Sequence, residues 1–213
     1  MLKGSVLGPM VLCGICYLKS KLSLLSEIGV KDSKKLNPKK RSELAEILKN
    51  NCYSYKIVVV NSQEIDQRET KKITLNRLEE LKMAVIVNNL KPDIIYVDAV
   101  DVNEERFGNS IKSLLHYAPK KIISEHKADD TYPIVSAASI IAKNRRDSLI
   151  EEFKVTYGNF GSGYPSDPRT IKFLKGYLKK HKRAPKIARR TWNTIKRMID
   201  EELFSRKITD FLN

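Results

Sequence analysis

Apolar residues fall along this chain in short runs and in helical spacings that alternate. After the glycine- and proline-containing lead-in Gly4 to Pro9, the run Met10 to Leu18 predicts a strand. Leu44, Ile47 and Leu48 share one helical face, and Asn37 followed by Pro38 predicts a capped helix start ahead of them. Tyr53 to Val60, rich in β-branched and aromatic residues, predicts a second strand. Leu75, Leu78, Leu81, Met83, Val85 and Ile86 predict a helix running from Thr70 to Asn89. Ile94 to Val97 and Lys121 to Ser124 read as further strands, with a short helical passage over Asn109 to Leu115 between them. Pro133 introduces a helix whose Ser136, Ala137, Ala138 and Ala142 permit close packing on a sheet. A glycine-rich turn, GNFGSGYPSDP, precedes two basic helices, Pro168 to Lys180 and Ala188 to Leu203. This alternation predicts an α/β fold, without repeats or low-complexity segments.

Composition narrows the partners. A chain of 213 residues with 41% hydrophobic residues can bury one sizeable core, so one main domain is expected. The net charge is +15, and residues 169–199 carry twelve Lys or Arg with no Asp or Glu. Such a block suits a polyanion; a solvated face and an anionic membrane surface are its rivals. Tyr177 and Trp192 within it, and the lack of a long apolar face, favour nucleic acid. Cys13 and Cys16 form a CGIC motif, but on a strand, positions three apart face opposite ways, so buried free thiols are expected rather than a redox or zinc pair. The odd cysteine count and the lack of a signal peptide predict a cytoplasmic setting. No run approaches the roughly 20 apolar residues a membrane span needs.

The candidate chemistry is acidic. Asp98 closes the apolar run of KPDIIYVDAVD, at the edge of a sheet where open α/β folds place ligands. Asp101 and Glu105 read as caps of the turn and short helix after it. Asp129 and Asp130 stand just before the Pro133 helix, either as its N-cap or as ligands. Carboxylates from two elements suit a two-metal site for phosphodiester displacement, since Mg²⁺ favours hard oxygen ligands. Tyr164, between glycines and a proline, either stacks on a base or sugar or folds back on the core. Lys31, Lys34 and Lys35 could contact phosphates or form a solvated loop.

The stretches GSVLGPMVLCG, GVKDSKKL, YVDAVDVN, EHKADDTYPIVSAASIIAKNRRD and GSGYPSDPRT resemble ribonuclease HII of the single-domain archaeal type, in family order over almost the whole chain. The resemblance implies an RNase H-like mixed β-sheet flanked by helices, with a C-terminal helical region. It implies a catalytic domain over residues 1–160 and a basic, substrate-binding region over residues 161–213. Cleavage of RNA in RNA/DNA hybrids, and at ribonucleotides embedded in duplex DNA, would leave a 3′-hydroxyl and a 5′-phosphate. The cofactor would be Mg²⁺ or Mn²⁺. Asp98 and Asp129 match catalytic metal ligands, while Asp130 matches a variable position. Tyr164 matches the tyrosine that packs on the sugar beside the ribonucleotide. Lys3 and Gly4 match the last two positions of a loop that senses the 2′-hydroxyl. Lys34 is carried as a substrate contact.

Two departures accompany the match. Leu2 stands where that loop has its first glycine, and a Cβ there opposes close backbone approach. The family's adjacent Asp and Glu would fall before Met1, so the expectation is a chain truncated at its N-terminus and impaired in activity. The competing function is a catalytically inactive hybrid-binding protein. A monomer with no membrane association is expected, and the C-terminal KITDFLN makes a sliding clamp a candidate partner.

Overall fold

The computed structural model describes residues 4–30 and 36–203. Lys3, Lys34, its neighbours Lys31 and Lys35, and KITDFLN lie outside the described residues. Strand β1 (Met10–Cys16) leads through a 3-10 turn (Lys19–Lys21) into α1 (Ser23–Glu27). Then come α2 (Pro38–Asn51), β2 (Ser54–Val60), α3 (Ser62–Thr70), α4 (Leu75–Leu90) and β3 (Ile94–Asp98). The remaining elements are α5 (Glu104–Ser113), β4 (Lys121–Glu125), α6 (Ala128–Thr131), α7 (Pro133–Tyr157), α8 (Pro168–His181) and α9 (Asn193–Leu203). The described residues divide into two compact units. One gathers the described parts of 1–10, 60–73 and 148–213, the other 11–59 and 74–147.

Local rules placed most helix starts. The Asn37 side chain accepts from the Lys40 N–H, with Pro38 in the first turn, as the cap pattern predicts. Leu44 and Leu48 are buried, but Ile47 is 43% exposed, because the buried stripe of α2 is narrower than its apolar spacing. The helix expected from Thr70 starts later: α3, which the apolar pattern does not predict, ends at Thr70, and Thr74 caps α4 by accepting from the Arg77 N–H. The segment SQEIDQRET escapes a pattern search because Ile65 is its one apolar residue. Helix α5 begins earlier than expected, capped by Asn103, so neither Asp101 nor Glu105 is its cap. Ala188 does not start a helix; it bridges Leu7, and α9 begins later.

In the second unit, β1 pairs with β2 and β3 with β4, the latter parallel from Ile94↔Lys121 to Asp98↔Glu125. Ile95 and Val97 bury one face of β3 against Val87 of α4 and Phe107 and Ile111 of α5. Gly108 lets α5 approach β4, since a Cβ there would lie 3.1 Å from the Ser124 Cβ. A separate core joins Ile15, Leu25, Leu44 and Leu48 with Ala137, Ile140 and Ile141 of α7, where small residues admit the close approach. Cys13, Cys16 and Cys52 are free and half-buried rather than fully buried. Burial pushes the Cys13 thiol up to about 12, away from reactive thiolate chemistry.

The first unit is built on Val6, Leu7, Ile150, Phe160, Leu174, Leu178, Ile195 and Met198. The basic block thus has apolar faces after all: Leu174 and Leu178 anchor α8, and Ile195 and Met198 anchor α9. Each such buried side chain contributes about 1.5–3 kcal/mol. Lys172, Lys175, Lys179 and Lys180 remain exposed. No helix among the described residues is long and apolar enough to cross a membrane.

Candidate active site

Strand alternation decides where Asp98 points. Ile95 and Val97 face the core, so Tyr96 and Asp98 face the other way. The Ala128 N–H donates to Asp98 Oδ1 at 3.3 Å, which brings the β3 end against the loop that carries Asp129. Lys127, with φ of 54°, turns the chain after β4 into the short helix α6. Asp129 and Asp130 therefore lie within α6 and do not cap α7. The buried Ser136 of α7 donates its hydroxyl to the Asp129 carbonyl at 2.6 Å, tying this loop to a long helix. Asp98 and Asp129 are half-buried and Asp130 is exposed.

Glu125 escaped the sequence reading. It is the register partner of Asp98, and its carbonyl accepts the Ala99 N–H at 2.8 Å. Its carboxylate accepts from the Tyr132 hydroxyl at 2.7 Å, and the Tyr132 ring lies 4.8 Å from that of Tyr96. That hydrogen bond raises the Tyr132 pKa. The available signal was position: Glu125 ends β4 as Asp98 ends β3. Asp101 is instead engaged by the Arg106 guanidinium at 2.9 and 2.5 Å, which lowers its pKa and leaves it a structural ion pair.

Asp98 and Asp129 offer the hard oxygen donors that divalent Mg²⁺ or Mn²⁺ takes, so the pair fits such an ion in kind. Among the described residues no cluster of three or more His, Cys, Asp or Glu completes a metal site.

The first unit holds the other described candidate residues, Gly4 and Tyr164. Tyr164 is half-buried in a turn whose Gly161 and Gly163 adopt φ of 78° and 80°. The Asp167 N–H donates to the Tyr164 carbonyl at 3.1 Å across Pro165. The Asp167 carboxylate accepts from the backbone N–H groups of Ser162 at 2.8 Å and Arg169 at 3.0 Å, and from the Arg169 guanidinium. Those bonds, the Arg169 side chain foremost, hold its carboxyl well below the usual range. Gly4 is exposed, with open space where a side chain would stand. The guanidinium groups of Arg68 and Arg189 each lie 5.0 Å from the centre of the Trp192 ring, so that ring is committed within the protein.

The ribonuclease HII family model matches residues 3–195. The chain is 48% identical over 207 residues to ribonuclease HII of Thermococcus sibiricus, spanning 96% of this chain and 90% of that protein. The crystal structure of ribonuclease H2 from Pyrococcus horikoshii OT3 matches with a TM-score of 0.89 at 44% identity, over 94% of each chain. RNase HII of Archaeoglobus fulgidus, solved as a complex with PCNA, matches with a TM-score of 0.83 at 38% identity over 95% of each. The architecture is therefore the expected RNase H-like α/β fold.

Proposed function

The chain belongs to the ribonuclease HII family, and on that premise we propose that it hydrolyses the RNA strand of RNA/DNA hybrids and cleaves at ribonucleotides embedded in duplex DNA, leaving a 3′-hydroxyl and a 5′-phosphate. The hydrogen bond from Ala128 to Asp98 carries the catalytic part of this reading. It joins two carboxylate-bearing elements that are separate in the chain. Asp98 and Asp129 would hold Mg²⁺ or Mn²⁺. Such an ion supplies activation of the attacking water and stabilisation of charge on the phosphate and leaving oxygens. Asp98 is held by the end of β3 and the Ala128 N–H, and the backbone of Asp129 by α6 and the Ser136 hydroxyl.

Selection of substrate falls to the first unit. Gly4, with Lys3 before it, would bring backbone to the 2′-hydroxyl, the group that separates RNA from DNA. Tyr164 would pack on the neighbouring sugar, its turn braced by Pro165 and Asp167. Lys34 and the exposed lysines of α8 would meet phosphates. A relative's capture with PCNA supports a sliding clamp as a partner for the C-terminal KITDFLN.

The test is an end-labelled DNA duplex with one ribonucleotide, incubated with the protein and Mg²⁺ or Mn²⁺. Weak cleavage on the 5′ side of the ribonucleotide is expected, in keeping with the impaired activity that the family match implies, and none with chelator or on all-DNA duplex. Equal cutting of the all-DNA duplex would overturn the assignment.

A further inference from the structure

Arg189 is fully buried, and its guanidinium is engaged by backbone carbonyls. Its Nε donates to the Gly8 carbonyl at 3.0 Å and its Nη2 to the Pro9 carbonyl at 2.9 Å. Its backbone N–H donates to the Val6 carbonyl at 2.9 Å. One residue thus holds three carbonyls of the segment that follows Gly4. Burying a guanidinium is costly unless its hydrogen bonds are met, and its rigid planar fork fixes two neighbouring carbonyls in a geometry that a flexible lysine ammonium does not impose.

The same segment is tied to the tyrosine turn. The N–H groups of Val6 and Leu7 both donate to the Gly163 carbonyl, at 2.8 and 3.0 Å, and Gly163 directly precedes Tyr164. The Gly8 N–H donates to the Ile187 carbonyl at 2.8 Å, and Leu7 bridges Ala188. Arg189 is fixed in turn by its neighbours. The Asp66 carboxylate of α3 accepts from the N–H groups of Arg190 and Thr191 and from the Thr191 hydroxyl, at 2.8 to 3.1 Å. Arg68 donates to the Thr191 hydroxyl at 2.7 Å.

We propose that Arg189 is a positioning residue for ribonucleotide selection: by clamping Val6, Gly8 and Pro9 it sets the Gly4 segment against the Tyr164 turn, so that both grip one sugar step together. This rests on the substrate-binding reading of Gly4 and Tyr164 given above. Arg189 itself touches no substrate. Its buried charge also distinguishes it from the exposed lysines of α8, which act by charge alone.

Arg189→Lys tests this, because the charge is kept and the fork is lost. Leu178→Ala, in the core of the same unit but outside the hydrogen bonds of the clamp, serves as a destabilised control. Each is made in an Asp98→Asn background, so that binding is read without turnover. The affinity for a duplex with one ribonucleotide is divided by that for the same all-DNA duplex, and amide exchange is followed at Val6, Leu7 and Gly8. Arg189→Lys should cut the ratio roughly tenfold, the scale of one hydrogen bond to a charged group, and speed exchange at those three amides. Its salt dependence should match the parent. Leu178→Ala should lower the melting temperature and keep the ratio. Unchanged exchange in Arg189→Lys, or faster exchange with the ratio intact, overturns the proposal while leaving the proposed function standing. A parent protein indifferent to the ribonucleotide overturns the reading of Gly4 and Tyr164 and this proposal with it.

Discussion

Ala128 donates its backbone N–H to Oδ1 of Asp98 across 3.3 Å, so Asp129 follows directly after a residue hydrogen-bonded to Asp98. The bond uses an oxygen that asparagine also carries. Asp98→Asn should therefore fold normally and still bind hybrid, while cleavage falls at least roughly a thousandfold, about 4 kcal/mol in barrier. Asp129→Asn should behave alike. Single-turnover cleavage beside fluorescence anisotropy measures the two effects. Retained turnover would remove Asp98 from the metal role.

Acid should loosen the tyrosine turn through Asp167. Its carboxyl is held below the ordinary 3.8 by Arg169 and the Ser162 N–H. A depressed folded-state pKa contributes stability that is complete above the unfolded value and is lost as pH falls below about 4. Asp167→Asn should be less stable than the parent at neutral pH, with the gap closing below pH 4. Urea titrations across that range would show it; a constant gap would contradict the assignment.

Gly161→Ala should be costly despite its small size. The residue has φ of 78°, and an added Cβ would lie 2.5 Å from Oδ2 of Asp167. A loss of about 1–3 kcal/mol is expected from the strain, seen as a lower denaturation midpoint. Weaker binding of the ribonucleotide-containing duplex should accompany it, because the turn that carries Tyr164 must shift.

Exposed lysines on α8 should act through charge. Replacing Lys175, Lys179 and Lys180 with alanine should weaken binding to hybrid and all-DNA duplex alike. For every phosphate left without its lysine, the slope of log affinity against log salt should become shallower by about 0.9. A changed preference for the ribonucleotide would instead place these residues at the selecting site.

Much of the fold was legible because its signals are local. Asn37–Pro38 starts α2 through its own side chain and ring, and the apolar run before Asp98 makes a strand with a carboxylate at its end. Helix α3 was not legible. It carries a single buried apolar side chain, Ile65, and its role comes from Asp66 and Arg68, which meet partners more than 120 residues away. Glu125 was overlooked for a similar reason: its relation to Asp98 is a register, which exists only once two strands pair.

Sequence by itself determined the family and the basic helices, and it named Asp98 and Asp129 as candidate carboxylates, because residue type, spacing and motif order are properties of the chain. Tertiary structure decided which residues lie together. Arg189 meets the Gly8 carbonyl 181 residues earlier, and Ala128 meets Asp98 across 30 residues. A hydrogen bond is satisfied by whichever acceptor lies within about 3 Å, and that distance is set by packing, not by position along the chain.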